Sequence, residues 1–234
     1  MAYRLIQGQS IITPRSSCPH CKKLIAWYDN VPVVSWLLLQ GACRNCNKPI
    51  SFLYPFIEIL TAVIFSLLYL YIPHYYFFSY FIFFSALIVT IRSDFETMLI
   101  SRYMTMYVAP FGIFLSFQGL LPISIEESIC GAIFGYLFLF TINWLFKRWR
   151  NIDGIGEGDF DLLFCIGSFT GIIGCWMSVT IGSILGSLYG LITLFITQRN
   201  QHPESSLRTA KIPFGPFLSF GAIIFVFIQK YISF

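Results

Sequence analysis

From Tyr54 onward the chain is a succession of apolar runs, each near the ~20 residues that a helix needs to cross the hydrocarbon core of a bilayer. The runs have expected limits at Tyr54–Ile72, Tyr75–Ile91, Tyr103–Leu121, Ser128–Phe146, Phe160–Trp176, Met177–Ile196 and Phe214–Phe234. Inside a bilayer every backbone N–H and C=O must find its partner within the protein, which an isolated strand cannot do and a helix can. A water-soluble helical bundle is excluded on charge: 11% of residues are charged and 56% are apolar, too little polar surface to face water. The expectation is an all-α polytopic membrane protein of about seven transmembrane helices, preceded by a small N-terminal cytoplasmic segment. Residues 1–53 form that polar segment and residues 54–234 the membrane domain.

Charge orients the spans. With residues 1–53 placed in the cytoplasm and the runs alternating from there, 14 of the 15 Lys and Arg fall on the inner side, Lys230 being the exception. The inner segments hold Arg92, Arg102, Lys147, Arg148, Arg150, Arg199, Arg208 and Lys211, and an outer loop carries Glu126 and Glu127. The net charge of +4 is therefore a signature of membrane orientation, and no nucleic-acid partner is expected. Residues 1–17 lack the apolar core of a signal peptide.

The polar segment contains Cys18-Pro19-His20-Cys21 and, after 21 intervening residues, Cys43-Arg44-Asn45-Cys46. Paired C-x-x-C knuckles suit a tetrahedral thiolate site for zinc. Two disulfides or four unligated thiols are the alternatives. The basic neighbours Lys22, Lys23, Arg44 and Lys48 favour the reducing cytoplasm, where disulfides are rare. His20 is surplus to a complete four-thiolate shell. Cys130, Cys165 and Cys175, in apolar runs, read as small buried fillers.

Carboxylates at or in a bilayer are costly and mark function. Asp94 ends the second run; Asp159 opens the fifth, at the end of the glycine-rich hexamer Gly154-Ile155-Gly156-Glu157-Gly158-Asp159. The positive-inside topology puts both at the cytoplasmic boundary. Glu58 lies about one turn inside the first run and reads either as functional or as a protonated packing residue. Two close aspartates resist ionising together, so one can accept a proton from water while the other donates to a scissile carbonyl. This is aspartic-protease chemistry and needs no metal. Glu96, Asp153, Glu157 and Asp161 flank the pair and suggest an acidic collar for a basic substrate segment. Coupling carboxylates of a proton-driven transporter would lie nearer the midplane.

The chain resembles the prepilin leader peptidases, also called type IV leader peptidases. The likeness rests on Pro14–Cys21, Asp29–Leu37, Cys43–Cys46, Tyr54–Glu58, Asp94–Ile100, Gly156–Asp159 and Ile212–Pro216, in this order. It implies an inner-membrane, multi-pass aspartic endopeptidase that removes basic leaders from type IV prepilins and pseudopilins after a glycine. It also implies N-methylation of the new terminal residue with S-adenosylmethionine. By motif, Asp94 and Asp159 are the catalytic pair, Cys18, Cys21, Cys43 and Cys46 bind zinc, and Glu58 belongs to the methyltransferase half. The family usually begins with a further helix ahead of the cysteines. It usually carries Leu-Pro-Asp where this chain has Ile100-Ser101-Arg102, and often Lys where this chain has Asp161. An acid at 161 is expected to discourage ionisation of a neighbouring carboxylate. The competing reading is a non-catalytic relative that binds prepilins or assembly partners without turnover.

Overall fold

In the computed structural model the described residues are 16–18, 20–100, 102–150, 154–200 and 213–232. They fall into two units, Met1–Leu70 and Tyr71–Phe234. Among them there are no strands, only isolated bridges between Ser17 and Leu24 and between Ala42 and Pro49.

In the first unit each bridge closes one cysteine knuckle by the same hydrogen bonds. Cys18 N–H donates to Lys23 O at 3.0 Å and Lys22 N–H to Cys18 O at 2.9 Å; Cys43 N–H donates to Lys48 O at 3.0 Å and Asn47 N–H to Cys43 O at 2.9 Å. Lys22 and Asn47, the residues after the second cysteines, both take positive φ (57° and 53°) to make the turn. Between the knuckles lie a 3-10 turn, Trp27–Asn30, and the short helix α1, Val34–Leu38. The long apolar helix α2, Leu53–Tyr71, follows.

The second unit holds α3 (His74–Thr97), α4 (Arg102–Phe117), α5 (Ile125–Arg150), α6 (Glu157–Asn200) and α7 (Gly215–Ile232). Pro73 precedes α3, and Met98, at φ 53°, closes it with its N–H on Asp94 O at 3.0 Å. Ser124 and Glu127 form a capping box at the start of α5: the Ser124 N–H donates to Glu127 Oε2 at 2.8 Å, and the Glu127 N–H to Ser124 Oγ at 3.2 Å. The last turn of α5 carries Lys147, Arg148 and Arg150, which complement its dipole.

Among the described residues, four helices are long and apolar enough to cross a membrane: Leu53–Tyr71, His74–Thr97, Ile125–Arg150 and Glu157–Phe195. Two further apolar helices, Thr105–Phe117 and Gly215–Gln229, are shorter. The multi-pass expectation is met at this level. The expected division of residues 160–196 between Trp176 and Met177 is corrected: α6 breaks at Gly171, whose φ of 69° and ψ of −171° are non-helical. The chain doubles back there. Cys175 Sγ lies 3.7 Å from Leu163 O, atoms that a continuous helix would hold about 18 Å apart.

α6 packs most extensively on α5, then on α7 and α4. Glycines set the α5–α6 approach: a Cβ on Gly167 would stand 2.1 Å from Gly131 O, and one on Gly135 would stand 2.5 Å from Leu163 O. The expected small-residue face at Gly182 and Gly186 also packs closely, against Phe217 and Leu218 of α7. Phe83 of α3 stacks on Phe169 of α6 at 4.6 Å, beside the fully buried Leu87, Ile91, Leu162, Ile166 and Leu218. Phe78, Ile133, Ile173 and Leu191 point outward, an apolar exterior that suits lipid.

Candidate active site

Asp94 stands in the last turn of α3 and Asp159 in the first turn of α6; both are buried. The segments that carry them meet at one side chain. The physical link between them is Ile100, in the connection from α3 to α4. A Cβ on Gly158 would meet Ile100 Cβ at 2.9 Å, and a Cβ on Gly215 would meet Ile100 Cδ1 at 2.9 Å and Asp94 Oδ2 at 2.8 Å. Only residues without a Cβ let these backbones close on Ile100. The Gly215 N–H, at the start of α7, donates to Asp94 Oδ2 at 3.1 Å and orients that carboxylate. Three helix termini thus converge on one point.

The glycine hexamer is tied down by a residue the sequence did not single out. Asn143 of α5 accepts the N–H groups of Gly154 and Ile155 on its Oδ1, at 2.9 and 3.1 Å. The Phe146 ring closes over Gly154, leaving 2.9 Å to a Cβ there. The available signal was a lone amide near the end of an otherwise apolar run. Gly215 and Ile100 carried less, being an ordinary glycine and an ordinary isoleucine.

Two of the four acids expected to form a collar are ion-paired. Glu96 is paired with Arg92 one turn earlier on α3. Asp161 is paired with Arg102 at 3.0 Å, so it does not act as an uncompensated acid beside Asp159. Asp153 lies outside the described residues. Glu157 remains, in the first turn of α6.

In the first unit the four thiols of Cys18, Cys21, Cys43 and Cys46 lie within 4.8 Å of one another, and Cys18 Sγ and Cys46 Sγ are 3.9 Å apart. A tetrahedral metal with sulfur at ~2.3 Å requires sulfurs about 3.8 Å apart, so the set fits such an ion. The backbone N–H of Cys21, helped by that of His20 and by the neighbouring thiols, draws Cys18 down to about 6 against burial. The Lys48 backbone favours the Cys46 thiolate too, but burial and the three neighbouring cysteines outweigh it and push Cys46 up to about 11. A cation between them would stabilise the thiolate forms.

Glu58 of α2 accepts the Val33 N–H on Oε2 at 2.7 Å. Val33, at φ 59° and ψ −49°, is the centre of a γ-turn closed by the Val34 N–H on Pro32 O. Such a conformation costs a β-branched residue on the order of 1–3 kcal/mol and survives only where neighbours enforce it. The same segment is held at its other end by Arg44, which forks onto Asp29 at 2.7 and 2.8 Å. That guanidinium keeps the Asp29 carboxyl below the usual carboxylate range. Glu58 thus anchors the 29–36 segment from one side, and Arg44 of the second knuckle anchors it from the other.

Residues 1–72 match the model of the Bacterial Peptidase A24 N-terminal domain, and residues 81–191 that of the Type IV leader peptidase family. Among curated relatives, the Prepilin leader peptidase/N-methyltransferase of Burkholderia pseudomallei is 34% identical over 93% of this chain and 68% of its own length. The protein of the same name from Aeromonas hydrophila is 33% identical over 92% of this chain and 72% of its own. The Type 4 prepilin-like proteins leader peptide-processing enzyme of Escherichia coli is 31% identical over 94% and 78%. No solved structure matches the chain significantly.

Proposed function

The chain belongs to the type IV leader peptidase family, and from that premise we propose that it is a membrane aspartic endopeptidase that cuts the basic leader from type IV prepilins and pseudopilins after a glycine. One observation carries the reading: Asp94 and Asp159, sixty-five residues apart in sequence, are buried at the ends of two apolar helices, and Ile100 packs against Gly158, next to Asp159, and against Gly215, whose N–H holds Asp94. A prepilin offers a basic leader to the cytoplasm and an apolar helix to the bilayer. Its scissile bond therefore lies at the inner boundary, where the distribution of Lys and Arg orients these helix ends.

In the proposed reaction the ionised aspartate takes a proton from water as the water oxygen bonds to the scissile carbonyl carbon. The protonated aspartate gives its proton to the carbonyl oxygen. Collapse of the gem-diol breaks the C–N bond: the departing nitrogen takes a proton from the pair while one hydroxyl returns its proton to the pair, so the product is a carboxylic acid and the pair again shares one proton. The Gly215 N–H holds Asp94 in place, and Asn143 fixes the loop that presents Asp159. Seven helices, with the two arms of α6 counted separately, would make up the membrane domain (54–234) after the metal-binding segment (1–53).

The reading includes N-methylation of the new terminal residue, with S-adenosylmethionine as donor. Glu58 is assigned to that half, acting through its hold on Val33. The test is release of the leader from a synthetic prepilin by the purified chain. A labelled methyl group must then appear on the mature terminus; cleavage without label removes the methylation half. A non-catalytic relative would bind the peptide and release nothing.

Two expected results follow from the geometry. Gly215→Ala is expected to lower kcat about 10-fold or more while the protein stays folded, because the added methyl displaces Asp94 Oδ2 rather than backbone. Leader release at saturating substrate, beside a thermal melt, checks this; unchanged kcat argues against the assignment of Asp94. Zinc is the proposed occupant of the cysteine site. Elemental analysis should find one zinc per chain and none in Cys18→Ser/Cys43→Ser; a metal-free wild type rules the site out.

A further inference from the structure

Arg102 and Asp161 are two of the positions at which the chain departs from the pattern it resembles, and the fold pairs them with each other. Arg102 Nε lies 3.0 Å from Asp161 Oδ2. Arg102 is the first residue of α4, two positions after Ile100; Asp161 is two positions after Asp159 on α6. The Asp161 side chain is 8% exposed and that of Arg102 59%. An exposed pair on two flexible arms would contribute little. Here the carboxylate is buried, and without Arg102 it would be left uncompensated. The pair joins the connection carrying Ile100 to the first turn carrying Asp159. Ile100 in turn abuts Gly158 and Gly215, and Gly215 holds Asp94.

We propose that Arg102 and Asp161 are positioning residues whose ion pair clasps the α3–α4 connection onto the start of α6 and, through Ile100, sets the gap between Asp94 and Asp159. The inference rests on the peptidase reading above. Neither residue touches the scissile bond. The clasp acts on the spacing of the two acids, so it governs the chemical step more than substrate capture.

The test is steady-state cleavage of a synthetic prepilin by the full chain in detergent. Arg102→Asp and Asp161→Arg are each expected to lower kcat roughly 10–100-fold with KM little changed, as for a sub-ångström to one-ångström misplacement of reacting groups. The double exchange, Arg102→Asp with Asp161→Arg, restores the pair with reversed polarity and is expected to return kcat to within about threefold of wild type. A role confined to general stability predicts lowered melting in the single variants with the kcat of the folded protein unchanged. Should the single variants fail to fold, Ile100→Ala keeps the ion pair, removes the wall, and is expected to lower kcat to the same degree. Full kcat in the folded single variants, full kcat in Ile100→Ala, or a double exchange no better than the worse single variant overturns the clasp. A wild type that releases no leader at all is the failure of the peptidase reading. It is told apart from failure of the clasp, in which wild type cuts and the variants cut equally well.

Discussion

Asp94→Asn and Asp159→Asn are each expected to abolish leader release, by at least about 10³-fold in kcat/KM, with melting behaviour close to wild type. Asparagine keeps the shape of the side chain and cannot pass a proton between water and carbonyl. In Asp94→Asn the contact to the Gly215 N–H survives, since the amide oxygen accepts it as the carboxylate did. Loss of turnover would then report lost proton transfer rather than a collapsed site. The double variant should be no worse than either single one, because two groups that act as one unit are lost together. A rate above about a tenth of wild type in either variant would place the chemistry elsewhere. Additive losses would mean that the two acids act independently.

The second large effect lies in the packing that brings Asp159 to the site. Gly167→Ala is expected to cost about 3 kcal/mol or more, at the upper end for overpacked positions. Its new methyl would lie 2.1 Å from Gly131 O and 2.4 Å from Gly131 C. These atoms are backbone of α5 and cannot swing aside as a side chain would, so the two helices must part. The reciprocal contact is as tight: a Cβ on Gly131 would meet Gly167 O and the Gly171 backbone, each at 2.6 Å. The midpoint of thermal unfolding in detergent should fall by roughly 10 °C, taking a few degrees per kcal/mol for a chain of this size. Gly186→Ala is the control: its Cβ would sit 3.4 Å from the Phe217 ring, near ordinary contact, and should melt close to wild type. Equal melting of the two variants would mean that the α5–α6 approach is looser than described. Because the 157–170 arm carries Asp159 at its start, whatever folded Gly167→Ala remains should also turn over slowly.

These effects divide along what each kind of information can carry. Membrane helices were legible from residue types alone, since hydropathy and run length are local sums. The thiol knuckles were legible because C-x-x-C spacing dictates a local turn, and Lys22 and Asn47 complete it within the same few residues. Asp94 and Asp159 stood out because a carboxylate at the end of an apolar run is expensive wherever it then packs. The amino-acid string could not distinguish Gly171, where α6 reverses, from Gly167, where α5 presses closest, or from Gly174. All three are glycines in an apolar run, and only a neighbouring helix gives each its role. Nor could it pair Arg102 with Asp161, or bring Gly215 against Asp94 and Ile100, because a contact between residues 59 to 121 positions apart exists only once helices are laid side by side. Composition and spacing therefore determined which elements form and where they must reside. Close approach of backbones, an energy that depends on tenths of an ångström between distant segments, decided how those elements assemble a site.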